Sequence, residues 1–107
     1  MLRGRSSQEF VLAVCSVSKK FDLAIIAKLF HTVRLELATA GELLEKTDYP
    51  PTGVSPIGVD PIPVVVDQGL LAYETILIGG GVVGVEIEIA PRGVIACSKA
   101  IVGTIAR

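Results

Sequence analysis

The stretch Asp48-Tyr-Pro-Pro-Thr-Gly-Val-Ser-Pro-Ile-Gly58 forbids regular secondary structure across the middle of this chain. Pro50, Pro51 and Pro56 fix φ and remove N–H donors, so no helix runs through it. Gly53 and Gly58 admit backbone angles that other residues avoid. The segment is therefore a stiff loop. Its N–H and C=O groups do not all pair in a ladder, so some face solvent or a ligand. A plain connecting loop fits the same pattern, and the residues downstream of Gly58 have to separate the two readings.

The 107 residues suffice for one domain, residues 1–107, with a modest core. With 50% hydrophobic and 20% charged residues, a disordered chain is excluded. The mean hydropathy of +0.63 is high, so a partner surface or further chain is expected to cover apolar excess. No apolar run spans a membrane, since the uncharged run Thr75 to Val85 is broken by Gly79-Gly80-Gly81. Glu9 and the lack of an A-x-A site argue against a signal peptide, which makes a cytoplasmic protein the expectation. A net charge of −1 and a pI near 5.7 exclude a protein that grips a long DNA duplex, but allow contact with only the end of a nucleic acid. Cys15 and Cys97 are too few for a disulfide framework and, with one His, make no metal set; each reads as a small buried hydrophobe. No metal and no cofactor are expected.

Glu9 to Val17 is a continuous apolar run, which predicts a central strand buried on both faces. Asp22 caps a helix to about Phe30, with Leu23, Ile26, Ala27 and Phe30 on its inner stripe. His31 then reads as a partner of the helix C-terminus. Val33 to Ala38 alternates as a strand with one wet face. Thr39 and Glu42 have capping-box spacing for a short helix to about Lys46. Strands are expected over Pro61–Asp67, Glu74–Ile78, Gly84–Ile89 and Ile101–Ile105, with a helical turn at Gln68–Ala72 and a helix from Pro91 to about Cys97. Strict βαβ alternation is absent. The expected fold is α+β, a mixed, largely antiparallel sheet flanked by short helices.

Three features bear on chemistry. The loop Thr52-Gly-Val-Ser-Pro-Ile-Gly58 offers backbone groups. Gly79-Gly80-Gly81 ends a strand, where glycine allows either close approach of a substrate or a tight hairpin; the spacing is not that of a dinucleotide-binding loop. Glu86 and Glu88 share the strand face opposite Val85, Ile87 and Ile89. Either carboxylate fits a solvated strand as well as a site. No Ser-His-Asp or Cys-His arrangement is evident.

Ala38-Thr39, the loop Gly53-Val-Ser-Pro-Ile-Gly58, Pro63-Val-Val-Val-Asp67, Gly79-Gly80-Gly81 and Glu86-Ile-Glu-Ile89 occur in an order that resembles the YbaK/ProX family. The resemblance covers nearly the whole chain from Phe10. These are aminoacyl-tRNA deacylases related to the editing domain inserted in bacterial prolyl-tRNA synthetases. It implies hydrolysis of the ester between a wrong amino acid, typically Ala or Cys, and a proline tRNA. It also implies the tRNA acceptor end with its aminoacyl group as a partner, and an aminoacyl-tRNA synthetase as another. The pocket would be lined by Thr52, Gly53, Val54, Ser55, Pro56, Gly58, Gly79, Gly80 and Gly81, with Glu86 as the catalytic carboxylate. Gly58 stands where inserted domains tend to carry His, which is the free-standing pattern. Such a site works through oriented backbone donors and positioning.

Three departures accompany the resemblance. Family members carry a functional Lys in a strand upstream of Phe10, and this chain begins after that position; Lys19 and Lys20 do not match it. Thr52 replaces a frequent Gly, and Glu86 replaces an Asp. The expectation is a chain truncated relative to the family, weak as an enzyme, with the strand from Phe10 as an open apolar edge that favours a homo-oligomer. Two other readings stand beside it: an inactive module that binds a tRNA end or a synthetase, and a small structural or oligomerisation protein.

Overall fold

A computed structural model describes residues 1–4 and 9–107; Arg5-Ser-Ser-Gln8, part of the stretch read for a signal peptide, lies outside the described residues. The described elements run in order: β1 (Leu2–Gly4), β2 (Phe10–Val14), α1 (Leu23–Leu29), β3 (Leu35–Leu37), α2 (Ala40–Thr47), β4 (Val64–Asp67), a 3-10 turn (Gln68–Ala72), β5 (Ile76–Gly79), β6 (Glu86–Ile89), α3 (Pro91–Ser98) and β7 (Ile101–Gly103). Five strands form one mixed sheet in the order β3-β1-β2-β4-β7, and β5 and β6 form a separate ribbon. Pairing is antiparallel through β3, β1 and β2, parallel through β2, β4 and β7, and antiparallel in the ribbon. This is the α+β arrangement that the sequence pattern predicts.

The apolar run at β2 is explained by its place. Val11 and Ala13 turn toward α1 and pack with Leu2, Ile26, Val65 and Ile105. Leu12 and Val14 turn the other way and pack with Val64, Val66, Leu70, Ile78 and Val94. A strand covered on both sides has no wet face to fill with polar residues. Caps delimit the helices as expected. The Asp22 carboxylate accepts from the Ile25 N–H at 3.2 Å. Thr39 and Glu42 form the reciprocal box, at 3.1 and 2.9 Å. Each cap is worth about 1 kcal/mol. His31 occupies the left-handed position just past α1, with φ of 55°.

Three expectations need correction. A strand does precede β2: β1 pairs with it, and Arg3 ties β1 to Glu36 of β3 at 2.7 Å and to Glu42 of α2 at 2.9 Å. Three residues show no period, so this strand is illegible in the sequence. Consequently β2 is not an open edge; it is paired on both sides. Val85 and Ile87, on the face opposite the two glutamates, are 47% and 42% exposed, because a two-stranded ribbon has no layer beneath its far end. Cys97 is exposed on the last turn of α3 and Cys15 is half-buried. Among the described residues, no helix is long and apolar enough to cross a membrane.

Candidate active site

The proline–glycine loop is closed on itself before it touches anything else. The Tyr49 hydroxyl donates to the Ile57 carbonyl at 2.6 Å. The Ile57 N–H donates to the buried Ser55 Oγ at 3.1 Å, and the Gly53 N–H to the Pro50 carbonyl at 2.9 Å. Gly58 has φ of +82°, a conformation that favours glycine.

The loop then docks on the ribbon through backbone. The Gly81 N–H donates to the Gly53 carbonyl at 2.9 Å. A Cβ on Gly53 would sit 2.8 Å from the Val82 carbonyl carbon, and one on Gly79 would overlap the Val54 carbonyl oxygen. The close approach that glycine permits here is filled by the chain itself. Gly80 closes the hairpin, its N–H donating to the Val85 carbonyl at 2.8 Å.

Two clefts open beside this contact. The first, about 320 Å³, is walled by Pro51, Val54 and Pro56 of the loop, Gly79 of β5 and Leu12 to Cys15 along β2. Its lining residues carry no charged side chain. The second, about 470 Å³, is walled by Val14 to Val17, Tyr73, Thr75 and Glu86. The two share Val14, Cys15, Leu77 and Ile78. Glu86 is the pairing partner of Gly79, so the carboxylate strand does run past the loop contact. Glu88 instead accepts from the Thr75 hydroxyl at 2.7 Å. A larger hollow of about 640 Å³, with Phe10, Phe30 and Lys46, lies at the other end of β2 and includes no loop residue from 51 to 58.

The predicted residues thus divide. Val54, Pro56 and Gly79 face the first cleft and Glu86 the second. Gly53, Ser55, Gly80 and Gly81 build the wall from behind. Thr52 is exposed on the loop, and Gly58 lines a separate hollow with Asp60 and Lys99. Pattern reading misses Pro51 and Cys15. It also misses Asp67, at the end of β4, 1% exposed. Its Oδ1 accepts from the Ile105 N–H at 3.1 Å, and its Oδ2 faces the Lys19 ammonium at 3.5 Å. A charged residue closing an all-valine strand is the signal that marks it.

Burial pushes the Cys15 thiol up, and the nearby Asp67 carboxylate adds to this against Lys19. The thiol donates to the Ser16 carbonyl at 3.3 Å. A protonated thiol is a poor nucleophile, so Cys15 shapes the wall between the clefts rather than attacking a substrate.

Residues 1–97 match the model of the aminoacyl-tRNA editing domain. The chain belongs to that family. Among curated proteins, it is 29% identical over 90 residues to EbsC of Enterococcus faecalis, a candidate Cys-tRNA(Pro)/Cys-tRNA(Cys) deacylase; the match covers 83% of this chain and 55% of EbsC. Among solved structures, it is similar to a hypothetical protein, APE2540, at 30% identity and a TM-score of 0.81, over 89% of this chain and 63% of the other. It is likewise similar to a candidate trans-editing enzyme for prolyl-tRNA synthetase, at 26% identity and a TM-score of 0.87, over 99% of this chain and 66% of the other. The chain thus spans about half to two-thirds of the length of these relatives.

Proposed function

We propose that this editing-domain chain hydrolyses mischarged aminoacyl-tRNA in trans, on substrates such as Ala-tRNA(Pro) or Cys-tRNA(Pro), in the cytoplasm. The observation that carries the reading is the first cleft, small and free of charged side chains, with one wall formed by the loop that Gly53 and Gly79 seat on the ribbon. Such a cleft admits a short neutral side chain and discriminates among similar ones by only about 1–3 kcal/mol per methylene, so an amino acid such as Ala or Cys fits better than a bulky one. Water adds to the ester carbonyl, the ribose oxygen leaves with a proton, and free amino acid and deacylated tRNA result. Without an activated side-chain nucleophile, positioning and dipoles supply the rate. In this reading Glu86, which pairs with Gly79 and lines the neighbouring cleft, accepts a hydrogen bond from the substrate amino group or the terminal ribose. The single domain spans residues 1–107, and a synthetase supplying the tRNA is the partner this function needs.

A second reading is favoured by the lack of a charged side chain in the first cleft: a module that holds the tRNA end without turnover. Arg3, the cation on β1, is committed to Glu36 and Glu42, which hold its guanidinium pKa up through their hydrogen bonds. Proline tRNA charged with Ala or Cys separates the readings. Release of amino acid above the buffer rate is the expected result. Tight binding with no release would replace the first reading by the second.

A further inference from the structure

The parallel strands β2 and β4 end side by side, and Asp67 lies one step beyond the Val14–Val66 pair. From that end the chain leaves β2 as the loop 15–20. Cys15, Ser16 and Val17 of this loop line the second cleft, and Lys19 and Lys20 lie just beyond them. The loop is held at two points. Asp67, itself buried, orients the Lys19 ammonium at 3.5 Å, while 40% of that side chain stays exposed. Lys20 exchanges two backbone hydrogen bonds with Arg107, at 2.9 and 3.0 Å, and its side chain is exposed. Between cleft and lysines stands Val17, wholly exposed. An apolar step and then fixed cations, leading out of a cleft, suit a sugar and base and then a phosphate.

We propose that Lys19 and Lys20 contact the RNA phosphodiester backbone next to the aminoacyl end, with Val17 against the sugar or base between them. This rests on the reading of the chain as a tRNA-acting domain and extends it to how the RNA enters. A chain of net charge −1 needs its cations gathered where the phosphates lie, because distributed charge gives no register. Asp67 offsets part of the Lys19 charge and in return removes the entropy of ordering a long side chain, while Lys20 extends the charge toward solvent.

The test uses the whole chain and an uncharged, fluorescein-labelled RNA hairpin with a single-stranded CCA end, titrated by anisotropy across a salt series. The affinity should fall linearly in log salt. The double variant Lys19→Gln/Lys20→Gln should weaken binding about tenfold or more and lower the slope by between one and two. Lys46→Gln, at the other end of β2, should leave both unchanged. Lys20→Gln alone keeps the Lys19–Asp67 pair, so it carries the test if the double variant unfolds; it should lower the slope by about one. Slopes equal to wild type in these variants, or no hairpin binding by wild type at low salt, would overturn the proposal. Lysine-dependent binding without hydrolysis of charged tRNA would count against the deacylase reading alone. Hydrolysis with KM unchanged in the variants would count against the lysines alone.

Discussion

The sheet with α1 and the ribbon with the glycine loop are held together by different means. In the first, side chains do the packing: Ile26, Val65 and Ile105 are fully buried between helix and strands. In the second, Ile78 is buried among the core side chains, but the loop meets the ribbon backbone to backbone at Gly53 and Gly79, and Leu77 is left 65% exposed. Side-chain packing tolerates small adjustments. A contact between two main chains without Cβ atoms leaves no room for even one added methyl, as at Gly53 and Gly79. Stability and site geometry therefore reside in different parts of the molecule.

Six substitutions, two of them controls, sharpen or break that division. Ile26→Ala should cost about 2–5 kcal/mol of stability, since it removes most of a wholly buried side chain. Denaturant unfolding measures it, and the deacylation rate per folded molecule should be unchanged; a parallel fall in rate would mean the two regions are not separable. Glu86→Gln should lower deacylation roughly tenfold, the value of one charge-assisted hydrogen bond at about 1.5 kcal/mol, with the melting temperature kept. Glu88→Gln should be close to neutral, because its partner Thr75 is at the surface. If both changes have equal small effects, Glu86 is an ordinary strand residue.

Gly79→Ala forces a methyl into the Val54 carbonyl and should cost about 1–3 kcal/mol together with the cleft's activity. Gly84→Ala is its control. Gly84 has φ of +81° but nothing within 4 Å, so backbone strain of about 1 kcal/mol should appear without a change in rate. A Gly79→Ala protein with full activity would show that the loop contact does not set the cleft. The smallest effect concerns the capping box. The Thr39 backbone N–H, then the Arg3 and Thr39 side chains, hold the Glu42 carboxyl below its ordinary value of 4.5. The folded pKa is depressed, so the stabilisation is fully present above the ordinary value of 4.5 and is lost as pH falls from there through the lower folded value. Glu42→Gln should flatten the acid limb of melting temperature against pH below about 4.5 and leave the cleft's rate at neutral pH unaltered.

What is legible in the sequence is local. Asp22, the Thr39–Glu42 box and Pro91 announce helix starts because each acts on a backbone donor within a few residues, and β2 declares both covered faces because its run is apolar throughout. The glycine loop and Gly79-Gly80-Gly81 are each visible, but not that one seats on the other, since that contact closes across β4 and β5. For the same reason Lys19 reads as a turn residue, and Asp67 as a strand end, until the sheet brings them together. β1 and the exposed face of the ribbon depend on which neighbours happen to lie beside them, and alternation cannot say whether a second layer exists.

Tyr49 closes the loop through its hydroxyl, and its ring edge lies where a Cβ on Gly81 would be, 3.2 Å away. The chain has no tryptophan and two tyrosines, the second being Tyr73 in the wall of the Glu86 cleft. Its near-ultraviolet tyrosine signal therefore arises at the closed loop and at the Glu86 cleft. The native protein carries its own optical reporter: circular dichroism or tyrosine fluorescence can follow seating of the loop and entry of a ligand without any label.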